Sequence, residues 1–145
     1  MRPAMNILIA TPEREIYRGQ ASLLVAPSVE GELAIMPGHA PLLARLRPGE
    51  VRIECHADND SDCHAVDVVV LGGFLEVQPD AVIILADAVV RAEDIDVRQV
   101  QQAVDQAKRL LASADKQIAS KALLDLEIAI AKLHVVRRNR RQVLI

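Results

Sequence analysis

The sequence predicts a small all-β domain followed by a two-helix tail, because its turn formers and its apolar spacing both change at one point. Six of the seven prolines and all six glycines lie between Pro12 and Pro79, where short apolar runs alternate with turn formers. After Arg91 glycine and proline are absent, and apolar residues recur every three or four positions. A spacing of two is typical of strands and a spacing near 3.6 of helices. We therefore expect a β domain over residues 1–91 and a helical hairpin over residues 92–145.

Apolar runs in the first part are the candidate strands. The run at 51–55 alternates apolar and polar side chains, as a strand with one solvated face does. Turn-forming pairs separate the runs, among them Pro48-Gly49 and Gly72-Gly73. Roughly eight to ten strands at this spacing predict an antiparallel sandwich or barrel. The clearest runs are 6–10, 23–26, 31–36, 42–46, 51–55, 66–71, 74–77 and 82–85.

The tail is predicted to form two helices with a break at 113–115. Asp94 or Asp96 can cap the first helix, since a carboxylate there accepts from free backbone N–H groups. Its apolar stripe is Val97, Val100, Val104, Ala107 and Leu111. The second helix has two stripes, one of Leu126, Ile130, Leu133 and Val136 and one of Leu124, Ile128, Ala131 and Val135. Two helices bury only one seam between them, so the β domain or a partner must cover the second stripe.

Composition and charge narrow the function classes. Hydrophobic residues make up 51% of the chain, yet it has one Phe, one Tyr and no Trp. Aromatic rings dominate ligand pockets, nucleic-acid stacking surfaces and interface hot spots, so each of these is less expected. Residues 1–91 carry 7 Arg against 13 Asp and Glu, net −6, whereas residues 92–145 carry 10 basic and 7 acidic residues, net +3. The acidic body disfavours nucleic acid, and the two signs predict two partner surfaces.

The sequence also bears on location. No apolar run approaches the roughly 18 residues of a membrane-spanning helix. The first residues lack the apolar core of a signal peptide. We expect a cytoplasmic protein without direct membrane insertion and with reduced cysteines.

Two Cys-His pairs, Cys55-His56 and Cys63-His64, form the only candidate metal site in the sequence. In a hairpin with its tip at 58–60, Cys55 faces Cys63, and each histidine points away from its neighbouring cysteine. The four side chains then do not converge, and their spacing matches no common zinc pattern, so we expect no metal. A metal- or small-ligand-binding β-barrel module that uses this Cys-His hairpin is the alternative function.

Catalytic and phosphate-binding motifs are absent from the sequence. It contains neither Gly-x-x-x-x-Gly-Lys nor Gly-x-Ser-x-Gly, and its serines have no base in a recognisable pattern. The acidic pair Asp58 and Asp60 fits turn chemistry. We expect neither an enzyme nor a cofactor.

Two segments are candidate contact sites. The loop at 36–41 holds a histidine between two prolines and beside a glycine; rigid loops on β scaffolds commonly carry contacts, although a structural turn accounts for the same residues. Near the C terminus four arginines within five residues either complement the helix dipole or bind an acidic protein. The loop residues are Met36, Pro37, Gly38, His39, Ala40 and Pro41, and the arginines are Arg137, Arg138, Arg140 and Arg141.

Five stretches in the β part carry a family resemblance. The longest reads Gly-Glu-Leu-Ala-Ile-Met-Pro-Gly-His-Ala-Pro-Leu-Leu over 31–43, and the others lie at 13–19, 47–49, 72–77 and 85–87. They occur in order, and the helical tail follows at the expected place. Together they resemble the epsilon subunit of the bacterial F-type ATP synthase.

The resemblance implies a ten-stranded antiparallel β-sandwich followed by a C-terminal two-helix hairpin. It implies a non-catalytic central-stalk subunit, peripheral to the cytoplasmic side of the bacterial membrane, that couples proton flow to ATP synthesis by contacting gamma and the c ring. By this similarity the C-terminal helices reach the alpha and beta catalytic subunits and inhibit ATP hydrolysis. Glu32 is expected to meet the polar loops of the c ring, and His39 with its neighbours to lie at the gamma and c-ring contact.

The start of the first helix departs from this family. Many members carry Ile/Leu-Asp-x-x-Arg-Ala there, which in some contributes to ATP binding. Ile95 and Asp96 match, but Gln99 and Val100 replace the Arg and Ala. Arg98 is one position away, about 100° around a helix. We expect weak or absent nucleotide binding, with Asp96 and Arg98 as the residues concerned.

Overall fold

A computed structural model describes residues 3–55 and 65–143, and side chains up to residue 140. It contains eight strands, one 3-10 turn and two helices in this order. The strands are β1 Met5–Ala10, β2 Glu15–Ala21, β3 Leu23–Ser28, β4 Gly31–Ile35, β5 Leu42–Glu54, β6 Val66–Val77, β7 Ala81–Ala86 and β8 Val89–Arg91. The 3-10 turn is Ala92–Asp94, and the helices are α1 Val97–Leu110 and α2 Lys116–Val143.

Two long strands build the sandwich by passing through both of its layers. The first half of β5, residues 42–46, pairs with the second half of β6, residues 73–77. Strands β7, β1 and β2 continue this first sheet. The remaining halves pair at 48–53 and 66–71, and β8, β3 and β4 complete the second sheet. The predicted β-sandwich with two C-terminal helices is therefore confirmed.

Residues 3–55 and 65–143 form eight strands, within the eight to ten expected from spacing and two fewer than the resemblance implies, because two expected turns are bends within strands. The bends lie at Pro48-Gly49 and Gly72-Gly73, where the ladder between β5 and β6 is interrupted by one residue on each strand. Leu46 pairs with Gly73, the next pair is Pro48 with Leu71, and the pairing then continues. Gly72 and Gly73 make the bend possible, with φ of +94° and +128°, a region that only glycine enters freely. A Cβ on Gly73 would overlap the carbonyl oxygen of Leu85. The sheet also departs from the antiparallel expectation at one pair, since β1 and β7 are parallel.

The main core lies between the two sheets. Residues from both layers are fully buried there, including Ile7 and Ile84 of the first sheet and Leu24 and Ile53 of the second. Every buried residue of this cluster comes from a strand between Met5 and Ala86. The core is therefore complete without the helices.

The hairpin folds back on the outer face of the second sheet. Val100 and Val104 of α1 pack against Ala129 of α2, which makes the seam predicted from the first stripe. Val135 and Ala131 of α2 pack instead on Val69 of β6, with Leu71 and Val90 beside it. Ala131 and Val135 of the second apolar stripe thus dock on the sandwich, one of the two expected outcomes, whereas Leu124 is 41% exposed and Ile128 lines the groove between the helices.

Candidate partner-binding surfaces

An apolar face lies open on the outside of the first sheet. Adjacent strands place Phe74 opposite Leu85, and Leu85 opposite Ala10. The neighbouring row places Leu43 opposite Glu76, followed by Ile83 and Leu8. Leu43 is 71% exposed, Leu85 58% and Phe74 52%. We call these six apolar residues the open face: Leu8, Leu43, Phe74, Ile83, Leu85 and Ala10.

Charged side chains rim the open face. Arg45 pairs with Phe74 at one edge, whereas Glu76 lies within the face, between Leu43 and Ile83. On the far edge, Arg18 of β2 makes an ion pair with Glu15 at 2.8 Å. An apolar centre with a polar rim is the usual anatomy of a protein-binding surface. Sequence analysis missed this face, although its signal was present: Val82 to Leu85 is apolar at every position, so one face of that strand had to be covered by something else.

The loop at 36–41 joins the edge strand β4 to the open face. The His39 N–H donates to the Met36 carbonyl at 3.1 Å, and the His39 ring Nδ1 lies 2.7 Å from the Ala40 carbonyl oxygen. Gly38 takes a φ of +86°, and Met36 is 61% exposed. The loop is a self-contained turn that presents Met36 to solvent and leads directly into Leu43.

Glu32 lies at the other end of β4. It is exposed and faces Pro27 of β3, next to the tight turn in which the Ser28 hydroxyl donates to the Gly31 carbonyl at 2.6 Å. Val29 at the tip of that turn is 55% exposed. The strand separates Glu32 from His39, so the two predicted contact residues occupy opposite ends of one edge strand.

The four C-terminal arginines do not share one face. Arg138 turns toward the sandwich, where its Nη1 lies 3.0 Å from Oε1 of Glu50. Arg137 and Arg140 are exposed, and the side chain of Arg141 lies outside the described part of the chain. Of the three arginine side chains that the structure describes here, Arg137 and Arg140 are thus displayed to a partner while the hairpin is docked.

The start of α1 borders a groove of about 650 Å³ between the two helices. Asp96 caps the helix, and its carboxylate accepts from the backbone N–H groups of Arg98 and Gln99 at 3.0 and 3.4 Å. Asp96 and Gln99 line the groove, while Arg98 is exposed outside its lining. Its charged lining is Asp94, Asp96, Asp125, Lys121 and Lys132, without an arginine.

The Cys-His hairpin falls largely outside the described residues, which exclude His56, Cys63 and His64. Cys55 is disulfide-bonded. The expectation of reduced cysteines is therefore wrong for this structure, and a disulfide sulfur is not a thiolate ligand. Over 3–55 and 65–143 no three His, Cys, Asp or Glu side chains are grouped to hold a metal.

Known proteins identify the family. Residues 4–92 match the model described as ATP synthase, Delta/Epsilon chain, beta-sandwich domain. The chain is 41% identical over 141 residues to ATP synthase epsilon chain 2 of Ralstonia nicotianae, which covers 97% of this chain and 98% of that one. It is 36% identical over 143 residues to the ATP synthase epsilon chain of Herminiimonas arsenicoxydans, covering 98% and 99%. The chain belongs to the ATP synthase epsilon family.

Solved structures share the fold of this epsilon-family chain. A chain in the mitochondrial ATP synthase of Euglena gracilis superposes with a TM-score of 0.78 at 20% identity, over 94% of this chain and 83% of that chain. A chain of the central stalk and c-ring structure from Tetrahymena thermophila gives 0.59 at 19% identity, over 91% and 96%. The sequence resemblance to the epsilon family is confirmed. Neither helix is long and apolar enough, within the described residues, to cross a membrane.

Proposed function

We propose that this epsilon-family chain is a non-catalytic stalk subunit that couples proton translocation to ATP synthesis and restrains ATP hydrolysis. Residues 1–91 form the rotor-binding domain, which contacts gamma and the c ring, and residues 92–145 form the regulatory hairpin. The complex holds the chain at the cytoplasmic side of the bacterial membrane. The chain itself uses no cofactor.

The open face is the observation that carries this proposal. Three of its side chains are more than half exposed, and burying them is favourable by about 25 cal/mol for each Å² of apolar surface covered. A flat apolar sheet face with a charged rim suits a folded protein rather than a small ligand. Gamma is the partner we assign to it, because the proposed subunit belongs to the stalk.

The edge strand β4 supplies the remaining rotor contacts. Glu32 and the tip residue Val29 project at one end, where a carboxylate can pair with basic side chains of the c-ring loops. Met36 and His39 lie at the other end, next to the open face. We assign the loop at 36–41 to the boundary between gamma and the c ring.

The helical tail supplies the inhibitory contact. Its exposed cations Arg137 and Arg140, together with Arg141, match an acidic surface on the alpha and beta subunits. In the docked hairpin Arg138 is paired with Glu50. It becomes available to the same acidic surface once the hairpin leaves the sandwich. Inhibition in this proposal therefore requires the hairpin to extend.

Replacing Leu85 by Glu tests the assignment of the open face. A buried unpaired carboxylate at the centre of an interface is strongly unfavourable, so we expect at least tenfold less gamma to co-purify with the variant. Leu123→Glu is the matched control, because Leu123 is 50% exposed on the hairpin and away from this face. Equal gamma recovery with both variants would refute the assignment.

A further inference from the structure

The helical hairpin covers a set of charges on the outer face of the second sheet. Glu50 and Arg52 of β5 lie beside Val69 and Asp67 of β6, and α2 packs directly over Val69. The Glu50 side chain is only 15% exposed. One oxygen of Asp67 is buried and accepts no hydrogen bond from the part of the chain that the structure describes. Docking thus places two carboxylates in a poorly solvated layer.

Too few cations face these carboxylates. Arg52 is shared, because its Nε lies 2.9 Å from Oε1 of Glu54 without hydrogen-bond alignment while the residue stands opposite Asp67 in the ladder. Among the described side chains of α2, Arg138 is the arginine that reaches this layer, and its contact with Glu50 is an ion pair by distance that also lacks hydrogen-bond alignment. Two guanidiniums therefore face three carboxylates, Glu50, Glu54 and Asp67. A charge left over in a half-buried layer is relieved most simply by binding a proton.

The remaining ionisable groups around the layer do not supply the missing charge. The groove between the second sheet and α2 is lined by Glu32 of β4, Arg47 of β5, and Glu127 and His134 of α2. On the Asp67 side, Arg91 of β8 and Glu93 line a second hollow. These rims carry three glutamates against two arginines, so they add no net positive charge; His134 is the remaining ionisable group there.

The pKa values of Glu50 and Asp67 are both raised, as expected for carboxyl groups with too few cations beside them. Burial raises the pKa of Glu50 above its usual value, and it outweighs the opposing attraction of Arg138. Burial likewise raises the pKa of Asp67, against Arg138 and Arg52. A carboxyl with a higher pKa in the docked than in the undocked state makes docking take up protons. Docking is then tightest below the undocked pKa and weakens as the pH rises through the docked pKa.

We propose that docking of the helical hairpin on the sandwich is coupled to proton uptake at Glu50 and Asp67, so that the hairpin is held at lower pH and released as the pH rises. Glu50, Asp67 and Arg138 form the latch. The coupling is a property of the isolated chain and does not depend on its partners.

A pH titration of the full chain tests the latch. Methyl resonances of Val69 and Val135, which touch only in the docked hairpin, report the docked fraction by nuclear magnetic resonance. We expect the docking equilibrium to fall as the pH rises above the ordinary carboxyl range, by up to about tenfold per pH unit for each proton released. Ile84 in the main core serves as the folding control and should not change. A docked fraction that is constant with pH would overturn the proposal.

Neutral variants identify the proton-binding groups. Glu50→Gln with Asp67→Asn should remove the pH dependence and keep the hairpin docked at pH 8, whereas Glu76→Gln on the open-face side should leave both unchanged. His134→Gln should retain the pH dependence; its loss in that variant would assign the proton to His134 and refute the carboxylate latch. A double variant that still titrates like the wild type would also refute it.

Removing the positive charge of Arg138 from α2 tests the latch independently of the carboxyl groups. Arg138→Gln leaves one guanidinium facing three carboxylates, so docking at pH 8 should weaken at least tenfold and the pH dependence should steepen. Arg137→Gln is the matched control, because it removes the same charge from an exposed neighbouring position. Equal effects of the two substitutions would mean that general helix charge, and not the latch, controls docking.

Discussion

Gly73 shows how much of the sandwich depends on one backbone position. It sits where β6 crosses from one layer to the other, with a φ of +128° and its Cα hydrogens against the backbone of Leu85 and Ala86. Neither the torsion nor the space accepts a side chain. β7 must move away from β6 before any other residue fits.

Gly73→Ala should therefore destabilise the fold more than an ordinary glycine replacement. We expect a loss of about 3 kcal/mol in the free energy of unfolding, from torsional strain plus the clash with Leu85. Gly38→Ala separates the two causes, because Gly38 also has a positive φ but open space around it; about 1 kcal/mol is expected there. Urea denaturation measures both, and equal losses would show that the clash contributes nothing.

The arginines show where residue-level prediction stops. The sequence identifies four arginines near the end of α2, and a helix rotates each by about 100° from the last. Which arginine faces the sheet depends on the rotation of α2 about its own axis. That rotation is fixed by the packing of Val135 and Ala131 on Val69. The ion pair between Arg138 and Glu50 joins residues 88 positions apart, so no local pattern announces it.

Among the elements, β5 and β6 account for the difference between eight and ten strands. Pro48-Gly49 and Gly72-Gly73 are turn signals in the sequence, and the chain does change direction there. β5 and β6 bend together at these two positions, however, and the ladder between the two strands continues on both sides of the bend. A bend and a turn have the same local sequence, so only the pairing partner distinguishes them. The clearest apolar runs were assigned to strands correctly, and eight lies within the eight to ten expected from their spacing, but β2 and β8 were not among those runs.

The open face was missed for a related reason. A strand that is apolar at every position, such as β7, is expected when both faces are buried. One face of β7 is buried in the core, through Val82 and Ile84, but the other carries the exposed Leu85. Sequence alone does not show whether the covering element belongs to the same chain.

The helix groove should bind ATP weakly if at all. Its volume of about 650 Å³ suits a nucleotide, but three aspartates against two lysines repel the phosphates. We expect millimolar ATP to give no protection of the hairpin against trypsin. Gln99→Arg adds a guanidinium to the lining and restores one residue of the family pattern, so it should gain protection. Clear protection of the wild-type chain would contradict this prediction.

At the scale of the whole molecule, the separation of the main core from the cluster under the hairpin predicts that the sandwich folds without the hairpin. The main core uses strand residues only, while the hairpin adds the smaller cluster around Val69. Deleting residues 92–145 should therefore leave a folded domain that still binds gamma. It will also expose Val69, Leu71 and Val90, so its solubility should fall.

The same deletion tests the proposed inhibition. ATP hydrolysis by an enzyme reassembled with the truncated chain should exceed that of the enzyme with the full chain, because the tail is the proposed inhibitor. Circular dichroism and gamma co-purification establish first that the shortened chain is intact. Unchanged hydrolysis with an intact chain would make the tail a structural element rather than a regulatory one.

The passage of β6 through both sheets also has a mechanical meaning. Phe74 on the open face and Val69 beneath α2 belong to one strand, five residues and at most about 17 Å apart. The bend at Gly72-Gly73 lies between them, and β5 runs beside β6 on both sides of that bend. A partner that turns the open face therefore pulls on the hairpin's docking site through two continuous, paired strands. The docked part of α2, in contrast, is held to that site by side-chain packing on Val69 and by the ion pair of Arg138 with Glu50.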